Sequence, residues 1–279
     1  MSKCEPIGKG HKVLDLFAGS GVGAAVKELG AKDYGVEMMP EARETRRLNG
    51  LETVYENVWD ADKASGLEFD TLWASPPCQS FSMAGKGAGR KALDDVLATL
   101  RAGKWKNIDE LREWAIELGD ERIGLVLSPL HYIWRYRPEN VVLEQVPAVL
   151  PVWEAYAEVM REYGYGVWTG YQHSEQYGVP QTRKRAYLLA KVGWKNPTPP
   201  PATHSKYHSR APEKLDPGVK PWVSMAEGLG ALEGHPVRRF YVLSNYGTGG
   251  DPASRGVRMG DEPAATVTSK VTRNKKVFT

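Results

Sequence analysis

The stretch Lys12-Val13-Leu14-Asp15-Leu16-Phe17-Ala18-Gly19-Ser20-Gly21-Val22-Gly23 decides how this chain folds. Its first six residues form a short, mostly apolar run of the kind that makes a buried strand. The glycines that follow at every second position make a turn whose backbone a ligand can approach closely. Residues 24–29 read as a helix, and residues 33–36 as a second strand ending at Glu37. Further out, short strands at 53–55, Thr71–Ala74 and 140–143 alternate with helical sequence. A helix at 152–163 and two strands at 166–171 and 186–190 follow. This alternation predicts an α/β fold, a doubly wound sheet covered by helices on both faces.

Glu37 lies 18 residues beyond Gly19, where a carboxylate can accept hydrogen bonds from both hydroxyls of a ribose. The pair predicts a ribose-bearing cofactor. A purely structural turn is the competing reading, and the feature does not separate NAD from S-adenosylmethionine.

Length and composition narrow the rest. At roughly 150 residues per domain, 279 residues make one or two domains. With 41% hydrophobic and 25% charged residues, disordered and fibrous classes are excluded. No apolar run approaches the roughly 18 residues of a membrane span. The start, Met1-Ser2-Lys3-Cys4-Glu5-Pro6, is not that of a signal peptide. Cys4 and Cys78 are the two cysteines, which excludes a disulfide scaffold and a cysteine-built zinc site. No metal is expected, and a reducing, cytoplasmic setting is. The net charge of +3 hides an asymmetry: residues 1–190 carry 23 Lys/Arg against 27 Asp/Glu, and residues 191–279 carry 14 against 7. A basic second part suits a polyanion, although an unevenly charged solvated surface would look the same. Seven prolines between 196 and 221 rule out any long regular element there. A boundary near 192 follows, with residues 1–192 as one domain and 193–279 as a small second region.

Thr71–Ala74 runs into Ser75-Pro76-Pro77-Cys78-Gln79-Ser80-Phe81-Ser82. Two prolines stiffen the chain past the carboxyl end of a strand, the ligand edge of such a sheet. A lone cysteine is usually a small buried hydrophobe. Here polar neighbours and the basic, glycine-rich residues 85–91 favour a reactive thiolate. Residues 85–91 themselves read as a mobile surface loop, with helices expected at 93–101 and 108–118.

The glycine turn, Pro76-Pro77-Cys78-Gln79, Glu144-Gln145-Val146 and Gln181-Thr182-Arg183-Lys184-Arg185 occur in the order seen in DNA (cytosine-5) methyltransferases of bacterial and phage type. The resemblance spans about residues 12–190. A weaker echo at 262–268 resembles the segment that returns to the catalytic domain in that family. It implies a Rossmann-like, S-adenosylmethionine-dependent methyltransferase fold with a small, irregular C-terminal recognition region, acting on double-stranded DNA within restriction-modification. Cys78 then matches the nucleophile that adds to C6 of a flipped cytosine, activating C5 toward the methyl group. Glu144 matches the carboxyl facing N3 and the exocyclic amine. Arg185 matches the contact to O2, and Arg183, with Gln181 opening the same motif, the arginine that holds the active-site loops. Phe17, Gly19, Gly21, Gly23, Glu37 and Pro77 match the cofactor pocket, with Asn57 or Asp60 at the adenine. Gln79 and Ser82 would enter the space the base vacates, while Lys86, Arg90 and Lys91 would contact phosphates. Lys206, Tyr207, His208, Arg210, Arg238 and Arg239 are candidates for reading the target sequence.

Four departures qualify the resemblance. Gln145 stands where the family usually has Asn, Val22 where a glycine is commoner, and the segment before the adenine contact matches loosely. The family's closing helix and turn have no counterpart after Thr268, so a second chain could supply them. A tRNA cytosine-5 methyltransferase, and a partner-dependent or inactive DNA-binding subunit, are the alternative readings. Amino-methyltransferases are disfavoured because their chemistry needs no cysteine.

Overall fold

The computed structural model describes residues 8–77, 87–230, 241–243, 257–266 and 277–278, with backbone alone at 87–90, 241–243, 257 and 277–278. The chain begins β1 (Lys12–Leu16), α1 (Val22–Glu28), β2 (Lys32–Val36), α2 (Pro40–Leu48), β3 (Glu52–Tyr55) and β4 (Thr71–Ala74). Four helices follow, α3 (Gly87–Arg101), α4 (Ile108–Glu117), α5 (Arg122–Leu125) and α6 (Ser128–Tyr136). Next come β5 (Asn140–Gln145), α7 (Leu150–Glu162), β6 (Tyr165–His173), β7 (Gln181–Thr182) and β8 (Lys184–Val192). The last elements are α8 (Met225–Gly230), β9 (Tyr241–Leu243), β10 (Val257–Met259), β11 (Ala264–Ala265) and β12 (Val277–Phe278).

Seven strands form one sheet in the order β3-β2-β1-β4-β5-β8-β6. The first five are mutually parallel, and β8 runs antiparallel to β5. The order reverses between β1 and β4, so the chain leaves these neighbouring strands in opposite directions and opens a crevice beyond their carboxyl ends. The period-two alternation of a strand sorts side chains to the two faces. Leu14, Leu16, Leu72 and Ala74 enter the large core with α3, α6 and α7, whereas Val13 packs with Val26 and Ala31 against Val22 and Trp73. Both faces are therefore covered, as the alternating sequence predicts. α7 shows why these residues are helical: Val152, Trp153, Tyr156 and Met160 recur at three- and four-residue spacing and all are fully buried.

The glycine-rich segment expected to be a loop through 91 differs. Residues 87–91 form the start of α3, because Ala92, Val96 and Leu100 make a buried stripe that carries the helix toward its amino end. Packing outweighs the cost of about 1 kcal/mol per glycine.

Two compact units divide the chain: Met1–Tyr171 with Ala186–Pro199, and Gln172–Arg185 with Pro200–Thr279. The chain passes between them after Tyr171, Arg185 and Pro199, and the Gln181–Arg185 motif clusters with the second unit. From 193 to 224 there is neither helix nor strand beyond a bridge between His204 and Lys220. Within the second unit β7 pairs in parallel with β11, and β9 lies between β10 and β12.

Candidate functional site

Beyond β1 the backbone is forced into a sharp turn. Phe17 has φ 61° and Gly19 φ 51°, two left-handed positions around the buried Ala18. The Ala18 N–H donates to the Val36 carbonyl at 3.0 Å, which ties the turn to the end of β2. The three glycines serve different ends. Gly19 supplies the left-handed φ, and Gly21 opens α1 as its N-cap. At Gly23 a Cβ would lie 2.7 Å from Asp33 Oδ2, so that glycine lets the helix approach the sheet. A Cβ at Gly19 or Gly21 would meet nothing within 4 Å, so the space above the turn is open.

Glu37 belongs to this turn. It is 8% exposed, and its Oε2 accepts the Gly19 N–H at 2.8 Å while Oε1 accepts the Met39 N–H at 2.7 Å. Each oxygen keeps a further lone pair, and the carboxylate cannot rotate without losing a bond. Asn57 and Asp60 follow β3, one strand farther out. The Asn57 side chain accepts the Trp59 N–H at 3.1 Å, and Asp60 pairs with Lys63 at 2.7 Å.

Across the crevice, β4 runs into Ser75, Pro76 and Pro77, and β5 ends in Glu144 and Gln145. On β5 Val141, Leu143 and Gln145 alternate into the buried face, and Glu144 stands half-buried on the other, opposite Tyr187 in the ladder. Gln145 is 4% exposed; its amide nitrogen donates to the Pro76 carbonyl and its amide oxygen accepts the Val146 N–H. Gln145, one methylene longer than the family's usual Asn, thus links the loop after β4 to the end of β5. Cys78, Gln79, Ser82 and Lys86 lie outside the described residues. Arg90 lies in α3, where the backbone alone is described.

In the second unit, Gln181 and Thr182 form β7, held by Ala264 and Ala265 of β11. Thr182 Oγ1 donates to the Ala264 carbonyl at 3.2 Å, and Thr266 Oγ1 to the Thr182 carbonyl at 2.7 Å. The segment expected to return therefore pairs with the Gln181–Arg185 motif. Arg183 falls in the one-residue break between β7 and β8. Arg185 is half-buried, with Nη1 donating to the Lys184 carbonyl at 2.8 Å.

Sequence reasoning passed over Glu175. It is 2% exposed, and its Oε2 accepts the Arg183 N–H at 3.3 Å. Burial alone would raise this carboxyl, but the His173 and backbone hydrogen bonds outweigh it and hold it below its ordinary range. It also passed over the buried group beneath the glycine turn, where Arg46 donates to Asp33 with its Nη1 4.0 Å from Asp15. Gly35 makes this possible, since a Cβ there would overlap the Arg46 guanidinium. Burial and the neighbouring Asp33 push the Asp15 carboxyl well above its usual range. No pattern in the sequence marks either group.

A family model described as C-5 cytosine-specific DNA methylase matches residues 11–109 and 116–233. The chain is similar to type II methyltransferase M.AplI of Arthrospira platensis, 27% identical over 191 residues, covering 66% of this chain and 47% of the relative. It is similar to M.AquIA of Picosynechococcus sp., 25% identical over 252 residues, covering 79% and 88%. With M.BanI of Aneurinibacillus aneurinilyticus the identity is 29% over 197 residues, covering 66% and 39%. The chain spans about half the length of most of the curated relatives it matches. Two solved structures share the fold at a TM-score of 0.50. One is the Entamoeba histolytica methyltransferase EhMeth, at 17% identity, covering 70% of this chain and 57% of that one. The other is a putative DNA modification methyltransferase of an Escherichia coli prophage, at 16% identity, covering 87% and 62%.

Proposed function

The chain belongs to the C-5 cytosine-specific DNA methylase family, and on that premise we propose that it methylates C5 of cytosine in duplex DNA. S-adenosylmethionine supplies the electrophilic methyl group when bound. Phe17, Gly19, Gly21 and Gly23 would cradle it, the fixed Glu37 carboxylate would accept from its ribose, Asn57 or Asp60 would meet the adenine, and Pro77 would border it. The supporting observation is the crevice between β1 and β4, with Glu37 tied to the glycine turn on one side and Gln145 tying Pro76 to the end of β5 on the other.

The Cys78 thiolate adds to C6 of the extruded base, which makes C5 nucleophilic. Glu144 stabilises the ring at N3 and the exocyclic amine, and Arg185 holds O2. Once C5 is methylated, water takes the C5 proton as the C6–S bond breaks, which would restore the aromatic ring and release the Cys78 thiolate. Arg183 and Gln181 hold the active-site loops. Gln79 and Ser82 fill the space left by the base, and Lys86 and Arg90 contact phosphates. Residues 193–279 form the recognition region in this reading. The family model is one of DNA methylases, which favours DNA over tRNA.

The test is transfer of labelled methyl from S-adenosylmethionine to unmethylated duplex DNA and, separately, to tRNA. The native chain should form 5-methylcytosine in DNA, and Cys78→Ala should lower the rate by at least about a thousandfold. Label on RNA alone, or on an exocyclic amine, would sink the proposal. A requirement for an added second chain would show instead that the activity is shared.

A further inference from the structure

We propose that Glu175 is a positioning residue for Arg183: a buried carboxylate that fixes the backbone at the strand break and so sets the direction of the arginine side chain. The proposal rests on the methyltransferase reading, because it takes Arg183 to be part of the catalytic apparatus.

Arg183 is the residue at which the chain changes ladders. Gln181 and Thr182 pair with β11, and Lys184 begins β8. At this break the β7–β11 pairing ends, and a buried backbone N–H or carbonyl left unpaired would cost about 1–3 kcal/mol. The turn Ser174–Tyr177 supplies both partners. Glu175 Oε2 accepts the Arg183 N–H at 3.3 Å, while the Ser174 N–H and Oγ donate to the Arg183 carbonyl at 3.0 and 3.3 Å. The other Glu175 oxygen lies 3.6 Å from His173 Nδ1, so the carboxylate is held from behind. Gly178, with φ 80°, returns the chain from this turn toward β7.

A buried carboxylate is a costly way to satisfy backbone amides; an apolar side chain beside a water-bonded N–H would be cheaper if packing were the sole need. What the carboxylate adds is direction. One of its oxygens lies 3.6 Å from His173 Nδ1 and Oε2 accepts the Arg183 N–H, which restrains rotation of the Arg183 peptide. Both Arg183 and Arg185 extend from the segment fixed in this way. A misplacement of about 1 Å at such a residue can cost on the order of a hundredfold in rate.

The experiment compares Glu175→Leu, Glu175→Gln and Ser174→Ala with the native 279-residue chain. Leu keeps the volume and removes the acceptor; Gln keeps an acceptor oxygen. The single-turnover rate of methyl transfer should fall on the order of tenfold to a hundredfold in Glu175→Leu, and should recover to within about threefold of native in Glu175→Gln. Ser174→Ala should fall between them. The KM for S-adenosylmethionine should not change, because its expected ligands stand on other elements. Amide exchange at Arg183 reads the hydrogen bond directly: slow in the native chain and in Gln, faster in Leu. If Leu does not fold, the native exchange rate together with Gln and Ser174→Ala still decides the matter. A native chain that transfers methyl at the same rate as a folded Glu175→Leu, with equal Arg183 exchange, overturns the positioning role alone. Equal loss of rate in Gln and Leu also overturns it. A native chain that forms no 5-methylcytosine overturns the enzymatic reading and this role with it.

Discussion

The two units are held together by different forces. In the first, Leu14, Leu16, Leu72, Val141 and Leu143 of the sheet and Trp153 and Tyr156 of α7 are sealed from solvent. In the second, Tyr207 and Met225 are the buried hydrophobic residues among those described. Its order comes from carboxylates that grip backbone N–H groups: Glu175 on Arg183, Asp216 on Lys206, Glu227 on Ser224 and Glu262 on Met259. Apolar burial is non-directional and scales with area, so one like-sized substitution changes little. A carboxylate grip is directional and hangs on one or two atoms. The apolar core of the first unit should therefore resist small changes and acid better than the second unit does, although Glu37 and Asp70 make the same kind of grip on Gly19, Met39 and Lys12 in the first unit.

The largest effect is expected where the first unit breaks its own rule. Arg46 is fully buried with Asp15 and Asp33, and its guanidinium also donates to the Glu52 carbonyl at 2.8 Å and to Thr53 Oγ1 at 3.2 Å. Arg46→Met removes the cation and strands two buried carboxyls, so stability to urea should drop by about 3–5 kcal/mol. A loss below about 1 kcal/mol would mean that the acids are neutral and satisfied without it, and the contrast between the units would then be complete.

A middle-sized effect is expected at Glu262. Tyr207 donates to it, Arg258 pairs with it at 3.4 Å while stacking over the Tyr207 ring at 4.4 Å, and the Met259 N–H donates to it at 2.7 Å. Glu262→Leu should cost about 1–2 kcal/mol, read as faster amide exchange around 205–220 with the β1–β5 amides unchanged. Burial opposes ionisation of Glu262 and Glu175, yet hydrogen bonds from Tyr207 and His173 respectively outweigh it, and both carboxyls sit below their ordinary value. Such groups stabilise the fold above the unfolded carboxyl range and lose that contribution as pH falls through the folded value. Lowering the pH from 7 to below about 4 should therefore open the second unit to exchange before the first. Simultaneous opening would break the comparison.

The same difference explains how much was legible in the sequence. Strands announce themselves through apolar runs and alternation, so β1, β2, β4 and β5 fall within a residue or two of where Lys12-Val13-Leu14 and its successors place them. Glu37 stands out by its distance from the glycines, and the structure puts its carboxylate on the Gly19 N–H. Gln145 stood out as a mismatch, and its reach to Pro76 depends on a neighbour 69 positions away. Glu175 and Asp216 leave no trace at all, since a carboxylate that grips an amide has no periodicity and looks like any surface acid. The start of α3 was misread for the opposite reason. Glycines between 85 and 89 signal a loop locally, whereas the stripe that makes a helix of 87–101 lies farther along the chain.

The smallest expected effect is the most diagnostic, because it has the opposite sign. Burial first, and then the charge of Asp33, raise the Asp15 carboxyl; Arg46 lowers it but does not prevail. A carboxyl whose folded pKa lies above its unfolded value binds its proton more tightly when folded. Its contribution therefore falls as pH rises from the unfolded value of 3.8 through the folded one. Asp15→Asn keeps the shape and removes the titration. The variant should match the native chain near pH 4 and be the more stable of the two near pH 8, read in exchange of the β1 and β4 amides. Asp15 lies two residues before Phe17, at the foot of the glycine turn. A variant less stable than native at every pH would show that Asp15 is ionised and paired with Arg46. The first unit would then hold a working salt bridge at its centre, and the division between an apolar and a carboxylate-gripped unit would need to be redrawn around it.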